Sequence, residues 1–151
     1  MVADARRRWG RASWERLLCG DGLARLDASL RDAPVRLPAD VAGAALAGEP
    51  AARRAAQLFS RLLGEFAGDA CLMLGADAAY LTGGVLDGLG AAFDGQAFRD
   101  GFEDKGRFAQ RMRGVPVRRV LAGDLALRGL ARIVGGEVEA AGVGYPGGSA
   151  G

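Results

Sequence analysis

The sequence contains no histidine. That absence removes the commonest general base, the usual metal ligand and any Ser–His pair from the chemistry these residues can perform by themselves. Cysteine is nearly as scarce: Cys19 and Cys71 are too few for a disulfide framework or a Cys-rich metal site. Lysine occurs once, at Lys105, against 19 arginines among the 20 basic side chains. Together with abundant Gly and Ala, that skew reflects codon bias rather than architecture. No uncharged run approaches the ~20 residues of a membrane span. The longest apolar stretch, Ala78 to Leu86, is broken by Thr82-Gly83-Gly84 and flanked by Asp77 and Asp87. Arg6, Arg7 and Arg8 near the start have no apolar run or small-residue cleavage site behind them, which argues against a secretory signal. A cytoplasmic location and no membrane partner are expected. A Walker phosphate loop is also missing, because Gly20-x-Gly22 has neither the following Lys-Ser/Thr nor a preceding strand.

What is there fits one domain of 151 residues, long enough to bury a real core. Half the residues are hydrophobic and a quarter charged, the balance of a soluble globular protein. The net charge of +2 points to no polyanionic partner. One local exception is the cluster Arg6, Arg7, Arg8, Arg11 and Arg16 with Trp9 and Trp14 between them. Basic residues interleaved with aromatics can bind nucleic acid through phosphate contacts and stacking. No nucleic-acid module follows, so the expected reading is a solvated helix end whose two Trp side chains pack inward.

Ser13 is placed to cap a first helix carrying Trp14, Leu17 and Leu18. Gly20 and Gly22 are expected to punctuate, with a second helix from Leu23 to Leu30. A short helix through Val41, Ala45 and Leu46 ends at Gly48, and Pro50 can open the next without losing a hydrogen bond. The longest helix is expected over 51–74. Ala55, Leu58, Phe59, Leu62, Leu63, Phe66, Ala67, Ala70 and Leu74 repeat there at the 3–4 spacing of one buried stripe. Gly64 and Gly68 lie four apart in it, which indicates close packing against a neighbour. Ala78–Thr82 reads as a short buried strand and Val115–Leu121 as a second, with Pro116 at a strand start or edge. Helices are expected over 98–102, 108–112 and 125–133. From about Gly135 the chain is rich in Gly, Ala and Ser, and residues 135–151 are expected to form a disordered tail.

Two strands separated by helices imply a parallel pair with a crossover, hence an α/β fold that is helix-rich. Such a pair has two open edges and calls for further strands. Among candidate chemical groups, Glu103-Asp104 beside Lys105 and Arg107 reads as surface ion pairing rather than an acid–base couple. Thr82-Gly83-Gly84-Val85 stands out more. A strand ending in Gly-Gly that turns into a helix admits close backbone approach and offers free N–H groups to an anion. By pattern alone it remains open between a nucleotide site and an ordinary strand-to-helix turn.

Several stretches carry a wider resemblance. Arg8-Trp9-Gly10-Arg11-x-Ser13-x-Glu15-Arg16-Leu17-Leu18-x-Gly20-x-Gly22-Leu23, Ala44-Ala45-Leu46-Ala47-Gly48 and Phe66-Ala67-Gly68-Asp69-x-x-Leu72-x-Leu74-Gly75 follow one another in order. Tyr80-Leu81-Thr82-Gly83-Gly84-Val85 comes next, then Phe98-Arg99-x-x-Phe102-Glu103-Asp104-Lys105-Gly106-Arg107-Phe108, the most specific piece, and finally Val115-Pro116-Val117. Over residues 6–133 this resembles the C-terminal part of the bacterial glucokinase family. The resemblance implies the C-terminal half of the large lobe of an actin-like, ribonuclease-H-like kinase, covering residues 1–134. It implies transfer of the ATP γ-phosphoryl group to the 6-hydroxyl of glucose, with Mg²⁺, at the entry to glycolysis.

Such transfer needs electrostatic stabilisation of the phosphates and a base for the hydroxyl. In the family those parts are a D-x-G-G-T-N loop, a catalytic Asp, a G-T-G-L-G loop, an E-x-x-H sugar segment and a later Glu. All lie upstream of the matched stretch, and none occurs in these 151 residues. The resemblance therefore carries over no catalytic residue and no metal ligand. It carries over only the adenosine-loop positions Thr82, Gly83, Gly84 and Val85, with the Gly84 N–H facing the α-phosphate and apolar neighbours flanking adenine. The residues depart from the family where Val85-Leu86-Asp87-Gly88 replaces apolar-x-Pro-Arg, where Ala122-Gly123-Asp124 replaces a His-centred turn, where Arg128-Gly129-Leu130 replaces a Gly-Leu-Leu-Gly-like segment, and where Cys19 replaces Ser. A fragment inactive by itself is expected, partnered with glucose and with an N-terminal kinase segment in trans or a second copy. The alternative is a noncatalytic binding or dimerisation remnant of a sugar kinase.

Overall fold

A computed structural model describes residues 6, 10, 11, 13–120 and 125–135. Cα packing divides the chain into two units, residues 1–121 and 122–151.

In the first unit, α1 (Trp14–Leu17) and α2 (Gly20–Arg31) are followed by α3 (Pro38–Ala47) and α4 (Pro50–Leu74). Then come β1 (Ala79–Leu81), α5 (Gly84–Leu89), a 3₁₀ turn at Gly90–Ala92, α6 (Gly95–Glu103), a second 3₁₀ turn at Gly106–Phe108, α7 (Ala109–Gly114) and β2 (Val117–Arg119). The two strands pair in parallel, Ala79 opposite Val117 and Leu81 opposite Arg119. The helix-rich α/β reading with a parallel pair is what the chain adopts, although both strands are shorter than Ala78–Thr82 and Val115–Leu121. Pro116 sits just before β2, where its carbonyl accepts from the Ala79 N–H at 2.9 Å and its missing N–H breaks no ladder bond.

Helix α4 runs 25 residues, about 37 Å at 1.5 Å per residue, and serves as the spine for two apolar cores. Its first half joins α2, α3 and α5 through Leu23, Val41, Ala52, Ala55, Phe59 and Leu89. Its second half joins α6, α7 and the strands through Cys71, Phe98, Phe102, Met112 and Val115. Pro at the first position of both α3 and α4 presets the entry turn, as the sequence indicated for Pro50 but not for Pro38.

The expected stripe on α4 holds in the first half, where Ala55 and Phe59 are buried, and fails in the second, where Phe66 and Leu74 are exposed. Small residues carry the burial there. A Cβ at Gly64 would overlap the Phe98 carbonyl oxygen and lie 3.0 Å from the Phe102 N. One at Gly68 would lie 2.6 Å from the Phe102 O and 2.5 Å from the Lys105 Cε, and one at Gly101 would lie 3.0 Å from the Glu65 N. Helices α4 and α6 thus cross backbone to backbone, the close packing that the Gly64/Gly68 spacing indicated. The crossing is pinned at both ends. Buried Ser60 Oγ donates to the Ala56 O at 2.8 Å and accepts from the Asp94 N at 3.1 Å, while Asp94 Oδ1 caps α6 at the Ala97 N–H. At the other end the sole lysine, Lys105, donates to the Glu65 O at 2.9 Å and pairs with Asp69 at 2.8 Å. Glu103 and Asp104 form ion pairs as expected, with Arg99 and Arg113 and with Arg61 respectively rather than with Lys105.

Two local expectations are corrected. Gly20 and Gly22 lie inside α2 instead of preceding it: a Cβ at Gly22 would overlap the Leu17 carbonyl, so glycine lets the helix start against α1. Ser13 occupies the N-cap position of α1, but its hydroxyl is buried and unpartnered, and its carbonyl takes the Arg16 and Leu17 amides. Trp14 is partly exposed and tilts against Phe66 at 5.6 Å between ring centres. Trp9 lies outside the described residues.

The buried carboxylate of Asp27 holds the loop between α2 and α3. Arg31 Nε donates to it at 2.8 Å, and Arg36 forks onto both its oxygens at 2.9 and 2.8 Å. The same guanidinium reaches Glu49 at the start of α4 at 3.0 and 2.9 Å. Burial pushes the Asp27 carboxyl up, and the hydrogen bonds from Arg36 and Arg31 outweigh it, holding the group below its ordinary 3.8.

The second unit contains α8 (Leu125–Val134), close to the expected 125–133, with Leu127, Leu130, Ile133 and Val134 exposed. Apart from Gly135, the expected tail 135–151 lies outside the described residues. No described helix is long and apolar enough to cross a membrane.

Candidate functional site

Strand β1 ends at Leu81, and α5 begins at Gly84, so Thr82 and Gly83 alone make the turn. Gly83 has φ +141°, ψ 150°, a conformation that a Cβ would strain, and it forms the N-cap of α5. Its carbonyl accepts the Asp87 N–H at 3.1 Å, which starts the helix. Thr82, Gly83 and Gly84 are exposed and Val85 is half-buried. A Cβ at Gly83 or Gly84 would meet nothing within 4 Å, so this turn is open on its outer side.

All four positions singled out from sequence come together on one small cavity of about 120 Å³, backed by Leu18, Phe59, Leu63 and Leu86. Gly84 and Val85 also line a larger cavity of about 420 Å³ with Leu23, Pro38, Ala39, Ala42 and Gly88. That volume suits a small-molecule site, and the side chains facing it are apolar. Its far wall comes from α2 and α3, which sequence reasoning had not tied to the turn; nothing local in Leu23 or Ala39 announces that role. A wider cavity of about 520 Å³ lies between Ala45, Arg53 and Phe93–Gly95. Its polar groups are already engaged, Arg53 with the Ala45 O at 3.3 Å and Asp94 with Ala97 and Gln57.

One neighbour of the turn was not singled out from sequence. Arg119 occupies an inward position of β2 opposite Leu81, and its Nη2 donates to the Leu86 O of α5 at 2.6 Å and faces Asp87 Oδ1 at 3.3 Å. The available signal was a charge at the second inward site of the alternation Val117-Arg118-Arg119. Among the described residues no group of three or more Cys, Asp or Glu gathers as a metal site.

Two parallel strands among helices, with a glycine turn and a helix start after the first strand at the mouth of an apolar cavity, place the chain among the α/β proteins. The glucokinase family model matches residues 1–136, and the chain belongs to the glucokinase family. It is 43% identical over 123 residues to a glucokinase of Chromohalobacter salexigens, covering 78% of this chain and 39% of that protein. Against a glucokinase of Nitrobacter hamburgensis it is 40% identical over 141 residues, 88% of this chain and 44% of the other. A Xanthomonas campestris glucokinase is 38% identical over 130 residues, 82% and 38% of the two chains. The chain thus spans about two fifths of the length of the curated relatives it matches.

Proposed function

We propose that residues 1–134 form the C-terminal portion of the large lobe of an actin-like glucokinase and supply its adenosine side, with 135–151 lying beyond that lobe. In this reading the adenine of ATP enters the apolar cavity between α2, α3 and α5, and the phosphates point to Thr82, Gly83, Gly84 and Val85. The free N–H groups of the turn receive the α-phosphate. Glucose, the base for its 6-hydroxyl and the clamp on the γ-phosphate belong to the part of the family's length not in these residues. Mg²⁺, the usual companion of transferred phosphates, would ride on the nucleotide, and no step through it rests on this chain. These 151 residues alone then show no glucose-dependent ATP consumption. A cytoplasmic phosphotransferase at the entry to glycolysis is the role this reading assigns.

The observation that carries it is the open glycine turn at the mouth of a 420 Å³ apolar cavity. Gly84→Asp tests it. The position has room for a side chain, and an acidic group at a helix start is favourable by the helix dipole, so the fold should keep its stability. A carboxylate within ~4 Å of a phosphate repels it by about 1–4 kcal/mol, so ADP affinity should drop about tenfold or more. Adenosine, which has no phosphate, should lose little. Calorimetric titration of both ligands decides it: equal affinity of variant and native chain for ADP would remove the phosphate from this turn.

A further inference from the structure

We propose that Arg119 is the positioning residue of the Gly83–Gly84 turn, acting through α5; this rests on the nucleotide reading of that turn. Helix α5 has only six residues, too few to persist by backbone hydrogen bonds alone. It is bracketed by two glycines in conformations of positive φ, Gly83 at +141° and Gly90 at +52°. Leu86 and Leu89 bury one side of it, but apolar contact fixes neither its rotation nor its height above the strands.

Arg119 supplies the directional constraint. It stands on β2 in register with Leu81, the residue from which the chain leaves for the turn. Its guanidinium crosses to the last turn of α5, donating to the Leu86 O at 2.6 Å, the carbonyl that also receives the helix's closing Gly90 N–H. A cation there complements the negative end of the helix dipole. Asp87 Oδ1, at 3.3 Å from the same Nη2, steadies the guanidinium from the solvent side.

The placement goes against ordinary strand patterning. Val117 and Arg119 share the inward face of β2, and an aliphatic side chain would suit the second position as well as the first. The Arg119 Nε is buried without a partner, a desolvation penalty that leucine would not incur. A charge held at an inward site with part of its hydrogen bonding unmet is expected where position matters more than stability. Moving α5 by even an ångström would carry Gly84 and Val85 with it, since both belong to that helix and to the cavity wall.

The experiment uses the full chain as Arg119→Leu and Arg119→Lys, with Arg118→Leu as a control on the exposed face of the same strand. Amide exchange of residues 84–90, binding of ADP and of adenosine, and global thermal unfolding are measured for each. In Arg119→Leu, exchange in α5 should accelerate and both ligands should weaken by about tenfold together, the scale of one charge-assisted hydrogen bond. Unfolding should stay close to native, and Lys should restore part of both effects. Native-like exchange and affinity in Arg119→Leu would overturn the proposal. Loss of ADP binding with adenosine unchanged would overturn it differently, making Arg119 a direct phosphate contact. If the native chain binds neither ligand, the nucleotide reading itself falls, and Arg119 keeps only a hold on α5 visible in the exchange data.

Discussion

Gly64→Ala sets two opposed effects against each other at one atom. In a free helix, Gly to Ala stabilises by about 1 kcal/mol, because alanine loses less backbone entropy on folding. At Gly64 the new methyl would overlap the Phe98 carbonyl oxygen and lie 3.0 Å from the Phe102 N. Both obstacles are backbone atoms of α6, so no side-chain rotation relieves them. The helices must separate, and separation loosens the second core, where Phe98 and Phe102 are 2% and 0% exposed. Overpacking of this kind costs about 1–3 kcal/mol and sometimes more. With a backbone obstacle the upper end applies, leaving a net loss of about 2 kcal/mol after the propensity gain. Gly43→Ala is the internal reference: it lies in α3, and a Cβ there meets nothing within 4 Å. That variant should gain about 0.5–1 kcal/mol. Urea unfolding followed by circular dichroism at low protein concentration would read both, as midpoints moving in opposite directions. Gly64→Ala at or above native stability would refute the backbone-to-backbone crossing.

Other consequences follow from the same packing. Asp27 has a folded pKa below its ordinary 3.8, so its stabilisation is complete above that value and is lost as pH falls through the lower, folded value. The thermal midpoint of the native chain should therefore be insensitive to this group at neutral pH and drop in acid below about pH 4, and Asp27→Asn should remove that part of the acid sensitivity. Arg36→Met leaves the fully buried Asp27 carboxylate with Arg31 alone and should destabilise by about 3 kcal/mol, measurable as a shift in the denaturation midpoint. The two-stranded sheet keeps open edges, and Tyr80 on its outer face is 61% exposed. Residues 1–151 alone should therefore elute larger than a monomer and bind a hydrophobic dye, and co-expression with the N-terminal segment of a related glucokinase should reverse both. A compact monomer that binds no dye would instead favour a self-sufficient binding module.

The amino-acid sequence by itself determined the features that depend on neighbours along the chain. Pro50 at a helix start, the 3–4 repeat through Ala55, Phe59 and Leu63, and the Gly64–Gly68 spacing define α4 and its close-packed face, because helical periodicity is local. Thr82-Gly83-Gly84 marked the strand-to-helix turn for the same reason: glycine's freedom at positive φ is a property of the residue itself. The family motifs followed, since they are strings of residues. Tertiary structure alone decided which faces meet. It brought Leu23, Pro38 and Ala42 across from α2 and α3 to face Gly84, and it buried Asp27 where Arg36, 9 residues on, could fork onto it while also reaching Glu49, a further 13 residues away. It turned Arg119 inward against α5, although alternation would put an apolar residue there. Such pairings depend on how helices cross and on which charges are drawn from water together. These are properties of the packed whole, and no window of sequence contains them.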